Sequence, residues 1–513
     1  MNNNYYITTP IYYPSAKPHM GHAYSSIIAD FFARFKRIDG YEVHFLTGTD
    51  EHGLKIQRAA ESNNVETLDF CNEISQTFRD LSKTLNLSNT DFIRTTEERH
   101  KKTVQHLWLE LEKNDDIYLS KYSGWYSVSD EAFYNEDEII EKDQKKIAIV
   151  SGSIVEWIEE ESYFFRLSKW QDKLLDYYEN NPEFISPKSR KNEVISFVKN
   201  GLKDLSISRT TFSWGVKVPN NSKHVIYVWL DALTNYISAL NYPDTNDDLF
   251  KKFWPASVHL IGKDILRFHA VYWPAFLMAA KISLPKKIYG HGWILSGEEK
   301  MSKSKGNILD PLDIIQTYGL DPLRYYLIKE VSFGSDGNIS QDKLEDCINS
   351  DLANNFGNLC QRVTAFAEKN CDLKVPIIKK LADEDLVMLN KFTENLTTIR
   401  SEIDKQNINF YTNFIINSLF DANKYFNDQE PWKKKNDKER LNTIVYTALE
   451  MIRKISFMLY PIIPDSITKA LKIFNLKPND IIFKSIGNHD YLKSGDQINK
   501  IDILFLKVEK KND

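Results

Sequence analysis

The first sixty residues constrain the fold most strongly, because strand-like and helix-like segments alternate there. Tyr5–Thr9 has the composition of a strand, and a helix is predicted from Gly21, with apolar residues recurring at helical spacing as far as Ile38. Glu42–Leu46 predicts a second strand, and a second helix is predicted to begin near Leu54. Strand, helix, strand and helix in this order predict a parallel α/β sheet.

The sheet pattern is then interrupted and later resumes. The stretch 115–215 is predicted to be a mixed insertion, with strand-like pieces at Tyr122–Val128 and Ile147–Gly152. The sheet is predicted to resume at His224–Leu230 and again at Ser257–Gly262. The two parts of the α/β domain therefore flank an inserted domain.

Beyond about Ile339 the pattern changes to long amphipathic helices, which predict an all-α bundle. The expected helices are Cys347–Lys369, Asp383–Lys405, Phe410–Phe426 and Glu439–Leu459. The predicted domains are a Rossmann-like α/β domain at 1–114 and 216–290, an inserted connective domain at 115–215, a region around a lysine-rich loop at 291–345 and a helical domain at 346–513.

Composition sets broad limits. A chain of 513 residues with 42% hydrophobic residues can bury a large core, and its length predicts about three or four domains. A net charge of −5 excludes a surface that is a polycation throughout, although a local basic groove stays possible. The longest apolar stretch, Ala270–Ala280, is too short to cross a bilayer, and no signal peptide precedes the first strand, so we expect a soluble cytoplasmic protein.

A first candidate phosphate site lies where the first helix begins. His19-Met20-Gly21-His22 follows a turn-rich loop, so backbone N–H groups and the positive end of the helix can face an anion. His19 and His22 can donate hydrogen bonds to the same phosphate, and Gly21 removes a side chain where a ligand comes close. Taken alone, this string is equally compatible with ordinary histidines at a helix start.

The second candidate is the lysine- and serine-rich segment Glu299–Asn307, which contains Lys300-Met301-Ser302-Lys303-Ser304. Most short charge runs are solvated loops. A mobile loop of this composition can also bring lysine charge onto a triphosphate as negative charge develops on the leaving pyrophosphate.

Together and in this order, the two motifs resemble the HIGH and KMSKS signatures of class I aminoacyl-tRNA synthetases. Thr9–Pro14, Thr47–Gly53, Val228–Leu233 and Ile261–Ile265 further resemble methionyl-tRNA synthetases, over nearly the whole chain. The resemblance implies ATP-dependent attachment of methionine to initiator and elongator methionine tRNA through a methionyl-adenylate, with Mg²⁺ carried on the triphosphate. It also implies that the helical domain binds the anticodon.

The resemblance implies four sets of site residues. The implied catalytic residues are His19, His22, Lys300 and Lys303. The implied ATP-binding residues are Gly21, Gly262, Asp264, His291, Ile294, Lys300 and Lys303. The implied methionine-binding residues are Ile11, Tyr13, Asp50, Trp229, Ala232, Leu233, Tyr236, Ile265, His269 and Trp273. The implied anticodon-binding residues are Asn358, Arg362, Pro431 and Trp432.

These residue types suit their implied ligands. Aromatic rings give a thioether sulfur contacts of about 0.3–1.5 kcal/mol each, and Asp50 can pair with the α-ammonium of an amino acid. A tryptophan can stack on an unpaired base, and an arginine can bind the edge or phosphate of that base. Without the resemblance, core packing would be the commoner role for the aromatic residues.

One departure concerns zinc. Many family members carry cysteine pairs in the inserted domain, after a segment resembling Gly124-Trp125-Tyr126. Here Ser127 and Asp130 occupy the positions of one pair, and the stretch 115–215 contains no cysteine. We therefore expect no structural zinc and a knuckle held by packing alone. The cysteines elsewhere, Cys71, Cys347, Cys360 and Cys371, show no zinc-ligand spacing and no disulfide framework.

Other readings make different predictions. A synthetase for leucine, isoleucine or valine needs a large hydrolytic insertion, because a methylene discriminates by only about 1–3 kcal/mol. A cysteine enzyme needs zinc ligands, a nucleotidyltransferase would lack the helical domain, and a catalytically silent paralogue would be expected to lose its motif residues. The chain ends at Asp513, soon after the helical bundle, without the appended tRNA-binding domain that makes some family members dimers, so we expect a monomer.

Overall fold

A computed structural model describes residues 3–14, 17–128, 130, 132–134, 136–142, 145–296, 299–300 and 310–509. The chain forms two compact units. The sheet unit comprises Asn4–Pro18 and Val43–His291, and the helical unit comprises Met1–Asn3, His19–Glu42 and Gly292–Asp513. Within the described residues, every helix is too short or too polar to cross a lipid bilayer.

A parallel sheet of six strands forms the centre of the sheet unit. The strand Asn4–Tyr12 pairs in parallel with Val258–Gly262, which pairs in parallel with Ile288–His291. Side chains on both faces of these strands are buried, as expected for a parallel sheet covered on each side. In order across the sheet, the strands are Asp91–Arg94, Glu42–Thr49, Asn4–Tyr12, Val258–Gly262, Ile288–His291 and Ile185–Ser186.

Helices of the sheet unit surround a core that includes Trp108, Trp273 and Phe276. Their bounds are Leu54–Ser62, Thr67–Thr84, Glu98–Lys113, Gln171–Asn180, Lys188–Lys199, Val228–Leu233, Asn235–Ser238, Asp248–Phe253 and Trp273–Ala279. A π-helical segment, Phe268–Tyr272, immediately precedes the last of these helices.

The insertion contains small antiparallel sheets. Leu205–Ser206, Glu156–Phe165, Ile117–Ser127 and Ala132–Tyr134 form a four-stranded sheet, and Ile139–Lys142 pairs with Lys145–Ala148. Ile185–Ser186, which lies within the predicted insertion, joins the central sheet at its edge. The predicted strand at Ile147–Gly152 was displaced, because the observed strand ends at Ala148 and a turn follows.

The prediction of a central strand at His224–Leu230 was wrong. Asn221–Ile226 is a strand, but it pairs antiparallel with Ser208–Arg209 and Lys217–Val218 in a separate small sheet. The residues that follow form the helix Val228–Leu233. A short apolar run is compatible with either a buried strand or a buried helix, and tertiary packing decided between them here.

The helical unit contains the predicted bundle and the helix Met20–Ile38. Phe31 and Phe35 of this helix contact the ring of Tyr411, with centroids 5.4 and 5.5 Å apart. The other helices are Pro311–Tyr318, Leu320–Glu330, Gln341–Cys347, Asn358–Cys371, Asp383–Asp404, Ile408–Asp428, Lys438–Leu459 and Pro464–Ala470. A π-helical segment, Ile348–Gly357, precedes Asn358, and Glu299–Lys300, Ile294–Ser296 and Gly337–Ile339 form a small sheet.

Candidate active site

A cavity of about 140 Å³ in the sheet unit is lined by most of the residues predicted to bind methionine. Its walls come from the end of the strand Asn4–Tyr12, the loop after Glu42–Thr49, the helix Val228–Leu233 and the helical turn before His269. The predicted residues on its lining are Ile11, Tyr13, Asp50, Trp229, Ala232, Leu233, Tyr236, Ile265 and His269, and Pro10 and Asn235 complete the lining.

Aromatic rings form one side of the cavity. Trp229 stacks on Phe268, with ring centroids 3.5 Å apart and an interplanar angle of 11°. Tyr236 stacks on the buried ring of His259 at 4.0 Å. Trp273 is buried 6.1 Å from Tyr236 and lies behind this ring rather than on the lining. Such a wall suits an unbranched, polarizable side chain.

A hydrogen bond between Tyr236 and His269 sets the polarity of this wall. His269 Nδ1 lies 3.0 Å from the carbonyl oxygen of Ile265, so Nδ1 carries a proton. In the neutral ring, Nε2 then accepts a hydrogen bond from the Tyr236 hydroxyl at 2.7 Å. Burial lowers the pKa of His269 to about 4, against the opposing effect of its bond to Ile265, so the ring is neutral near pH 7. The π-helical segment that carries His269 is of a kind often found at functional sites.

Asp50 directly follows the strand Glu42–Thr49, and its carboxylate is buried at the cavity. Its backbone N–H donates to the carbonyl oxygen of Tyr12 at 2.9 Å. The next residue, Glu51, points away from the cavity lining and accepts two hydrogen bonds from Arg94, at 2.7 and 2.9 Å. Trp214 Nε1 donates to the carbonyl oxygen of Glu51 at 2.6 Å.

His52 completes this loop. Its carbonyl oxygen accepts a hydrogen bond from the Tyr13 hydroxyl at 2.9 Å, and its Nδ1 lies 2.6 Å from Asp231 Oδ2. Burial opposes ionisation of Asp231, but the charge of His52 and hydrogen bonds from His100 and His52 lower its pKa to about 2. The sequence analysis did not assign a role to Asp231, His52 or His100. For His52 a signal was present, because Asp50, Glu51 and His52 are three consecutive polar residues at the end of a strand.

Two positions predicted to bind ribose and adenine, Gly262 and His291, lie at the carboxyl edge of the central sheet. Gly262 and His291 end neighbouring parallel strands and stand opposite each other in register. A Cβ atom on Gly262 would lie 2.6 Å from Asp264 Oδ1, so a larger residue here would displace the Asp264 carboxylate. Ligands of open α/β sheets bind at this edge. Ile294 belongs to the helical unit, where it pairs with Gly337.

The two histidines of the first motif cap the helix Met20–Ile38. His19 Nδ1 accepts a hydrogen bond from the Gly21 N–H, and His22 Nδ1 accepts one from the His19 N–H, each at 3.1 Å. Because each Nδ1 is an acceptor, each neutral ring carries its proton on Nε2. Burial lowers the pKa of His22 well below its usual value, and the neighbouring His19 lowers it further. A Cβ atom on Gly21 would lie 2.9 Å from the His19 ring, so glycine also makes room for this cap.

The second motif is only partly described. Lys300 ends the strand Glu299–Lys300, whose backbone pairs antiparallel with Ile294–Ser296. Lys303, predicted to be catalytic and to bind ATP, lies outside the described residues.

The region of the missing cysteine pair is held by a hydrogen-bonded cluster. Asp130 Oδ2 accepts from Tyr134 at 2.7 Å and from Ser151 at 2.5 Å, while Oδ1 accepts from Ser153 at 2.7 Å. Ser127 Oγ accepts from the Asp130 N–H at 3.2 Å. The expectation of packing alone therefore omitted a polar contribution. Among the described residues, no three His, Cys, Asp or Glu side chains gather as a metal site.

Comparison with known proteins covers nearly the whole chain. The family described as "tRNA synthetases class I (M)" matches residues 5–364, and the "Anticodon binding domain of methionyl tRNA ligase" matches residues 375–513. The chain belongs to the methionyl-tRNA synthetase family. Membership makes it an ATP-dependent ligase with a Rossmann-like domain and a helical anticodon domain, as the sequence predicted.

Full-length relatives agree with this membership. The methionine–tRNA ligase of Rickettsia bellii (strain RML369-C) is 51% identical over 99% of this chain and 100% of its own length. That of Brucella suis biovar 1 (strain 1330) is 50% identical over 91% of each chain. The Mycobacterium tuberculosis methionyl-tRNA synthetase in complex with methionyl-adenylate has a TM-score of 0.95 at 46% identity, covering 98% of this chain and 99% of that one.

The residues predicted to bind the anticodon lie on the bundle of this synthetase. Asn358 begins a helix and is exposed, and Arg362 lies one turn further along the same face. Arg362 donates to Asn427 Oδ1 at 2.5 Å, and its guanidinium lies 5.6 Å from the centre of the Phe426 ring.

Trp432 reaches the same surface from the turn Pro431–Lys433. Its ring lies edge-on to Phe426 with centroids 6.3 Å apart, and 41% of the residue is exposed, whereas Pro431 is buried. The Phe426 ring therefore contacts both Arg362 and Trp432, so these two predicted residues share one neighbour.

Proposed function

We propose that this synthetase activates methionine in the cavity described above and transfers it to methionine tRNA. One observation carries the proposal: residues that the family resemblance implies, from separate segments of the sequence, line a single cavity, and Asp50 supplies the carboxylate of that lining. An amino acid with an unbranched apolar side chain matches both features.

In the first step, the methionine carboxylate attacks the α-phosphorus of ATP, and pyrophosphate leaves. Asp50 holds the α-ammonium by a charge-assisted hydrogen bond, and the aromatic wall around Tyr236 and Trp229 takes up the side chain. The reaction needs no covalent nucleophile from the protein. Positioning and stabilisation of charge supply the catalysis.

The phosphates are held from the start of the helix Met20–Ile38. The Nε2–H groups of neutral His19 and His22 are hydrogen-bond donors, and the helix end contributes its positive dipole. Lys300 and Lys303 neutralise the charge that develops on the leaving pyrophosphate. Gly262, Asp264, His291 and Ile294 hold the ribose and adenine.

In the second step, the terminal ribose hydroxyl of tRNA attacks the carbonyl carbon of methionyl-adenylate, and AMP leaves. Asn358, Arg362, Pro431 and Trp432 select tRNA with a methionine anticodon, initiator and elongator alike. The exposed indole provides a stacking surface for an unpaired base.

The remaining parts of the proposal concern the form in which the enzyme works. Mg²⁺ enters with ATP as part of the substrate, and the Asp130 cluster takes the place of structural zinc. The enzyme acts as a monomer in the cytoplasm, and light scattering of the purified protein tests its oligomeric state.

Pyrophosphate exchange tests the amino-acid substrate. We expect exchange with methionine and background rates with leucine or cysteine, and equal exchange with leucine would contradict the proposal. Charging of methionine tRNA with and without a changed CAU anticodon tests the helical domain. Equal charging of both tRNAs would show that the predicted surface does not read the anticodon.

A further inference from the structure

Asp231 is a buried residue on one of the helices that line the cavity. It belongs to the helix Val228–Leu233, which also supplies Trp229, Ala232 and Leu233 to the lining, but Asp231 itself does not line the cavity. Its side chain is fully buried. Burying a carboxylate costs free energy unless hydrogen bonds or opposite charges compensate for the lost hydration.

Both oxygens of Asp231 accept hydrogen bonds from histidines on other elements. Oδ2 lies 2.6 Å from His52 Nδ1, and Oδ1 lies 2.8 Å from His100 Nε2. A carboxylate can only accept, so both imidazole nitrogens donate. His100 lies on the helix Glu98–Lys113, and its Nδ1 lies 2.9 Å from Ser238 Oγ. The carboxylate therefore connects a loop and two helices.

The loop reached through His52 is the one that carries Asp50. Tyr13 holds the His52 carbonyl oxygen, and Asp231 holds the His52 ring. The site of Asp50, two residues earlier, is thereby fixed relative to the helix that presents Trp229. The affinity for a substrate held at both its ammonium and its side chain depends on this separation, because both contacts must be made at the same time.

We propose that Asp231 is a positioning residue that sets the distance between the ammonium-binding and side-chain-binding parts of the cavity. It acts through His52 on Asp50 and does not touch the substrate. This inference rests on the proposed role of Asp50.

The main test compares Asp231→Asn with the wild-type enzyme in pyrophosphate exchange. The amide keeps the shape but loses the charge and one acceptor. We expect the KM for methionine to rise about tenfold or more, with the KM for ATP and kcat within about threefold. The matched control is Asp116→Asn, a buried aspartate of the same unit that pairs with Lys169 and Trp170. Its KM for methionine should equal that of the wild type.

Two further measurements separate positioning from a purely structural role. Des-amino-methionine, which lacks the α-amino group, should inhibit Asp231→Asn and the wild type with the same inhibition constant. In the double variant Asp50→Asn/Asp231→Asn, the KM for methionine should lie within about twofold of that for Asp50→Asn alone, because one residue acts through the other. Equal weakening of methionine and its des-amino analogue, or multiplicative effects, would overturn the proposal.

A pair of variants at His52 serves if Asp231→Asn does not fold. His52→Asn keeps an N–H donor close to the position of Nδ1 and should retain the wild-type KM for methionine, whereas His52→Leu should raise it. Equal KM values for the two variants would overturn the proposal. If Asp50→Asn itself leaves the KM unchanged, the role of Asp50 fails; if Asp50→Asn raises it and Asp231→Asn does not, only the positioning role fails.

Discussion

The cavity proposed to bind methionine and the surface proposed to bind the anticodon (the anticodon surface) have opposite designs. Around the cavity, Asp50, Glu51, His52 and Asp231 are all buried, and the loop that holds Asp50 is hydrogen-bonded on several sides. On the anticodon surface, Trp432 is 41% exposed and contacts Phe426 edge-on.

This difference follows from the two ligands. Methionine is small and must be distinguished by shape and by one charge, so a buried site with fixed polar groups gives the strongest discrimination. An anticodon presents unpaired bases whose faces are similar, so an exposed ring that stacks on them is sufficient and leaves the RNA free to dissociate. The comparison predicts large, methionine-specific effects on one side and moderate, tRNA-specific effects on the other.

The largest effect is expected for Asp50→Asn. The α-ammonium would enter a buried site without its carboxylate, and loss of one partner of a buried charged pair costs about 3–5 kcal/mol. We expect kcat/KM for methionine in pyrophosphate exchange to fall about 2 × 10²- to 5 × 10³-fold. Asp248→Asn, at an exposed aspartate of the same unit, is the control. Equal losses of kcat/KM in the two variants would contradict the role of Asp50 in binding the α-ammonium.

Lys303→Ala separates recognition from chemistry. We expect adenylate formation to slow by about 10²-fold or more, because the developing pyrophosphate charge loses a cation, while the affinities for methionine and tRNA stay unchanged. Single-turnover kinetics measure this rate. Lys305→Ala removes a like charge two residues further along the sequence and should leave this rate nearly unchanged. Pyrophosphate exchange at the wild-type rate in Lys303→Ala would contradict the role.

Trp432→Ala tests the exposed side. Loss of base stacking is expected to weaken tRNA binding by about 1–3 kcal/mol, which raises the KM for tRNA about 5- to 150-fold. Pyrophosphate exchange without tRNA should not change. Trp157→Ala, at another half-exposed tryptophan, controls for loss of aromatic surface. A changed KM for methionine in Trp432→Ala would break the separation between the two regions.

Tyr236→Phe tests the polarity of the cavity wall. His269 Nε2 loses its buried donor, which costs about 1–2 kcal/mol and should raise the KM for methionine about tenfold. Tyr411→Phe also removes a buried hydroxyl, one that donates to the Met458 carbonyl oxygen in the helical unit. Tyr411→Phe should lower only the melting temperature. Similar KM values for the two variants would count against the Tyr236–His269 pair.

The last prediction concerns the pH dependence of stability and not ligand recognition. The folded pKa of His269, about 4, is lower than the usual histidine value, so the unfolded state binds more protons between about pH 6.5 and 4. The free energy of unfolding should fall as pH is lowered through this range, by about 1.4 kcal/mol per pH unit for this residue. Denaturant unfolding of wild type and His269→Asn measures it. An equally steep fall in both would assign the loss to other groups.

Much of the fold could be predicted from residues alone. The strand at Val258–Gly262 and the long helices of the bundle came from local periodicity, which persists because one face of each helix must be buried. His224–Leu230 could not be assigned in this way. Its apolar run satisfies a strand and a helix equally, and only its neighbours decide.

The sequence by itself determined the family, its motifs and the identity of nearly every residue on the cavity lining. Motifs are defined by residue types at fixed spacing, so they can be identified without knowing which residues are in contact. Only the tertiary structure decided that Asp231 connects His52 to His100, that Nδ1 of His19 and His22 caps a helix and that Asp130 gathers the serines of the insertion. Hydrogen bonds between residues distant in sequence depend on orientation as well as composition, and orientation is set by packing.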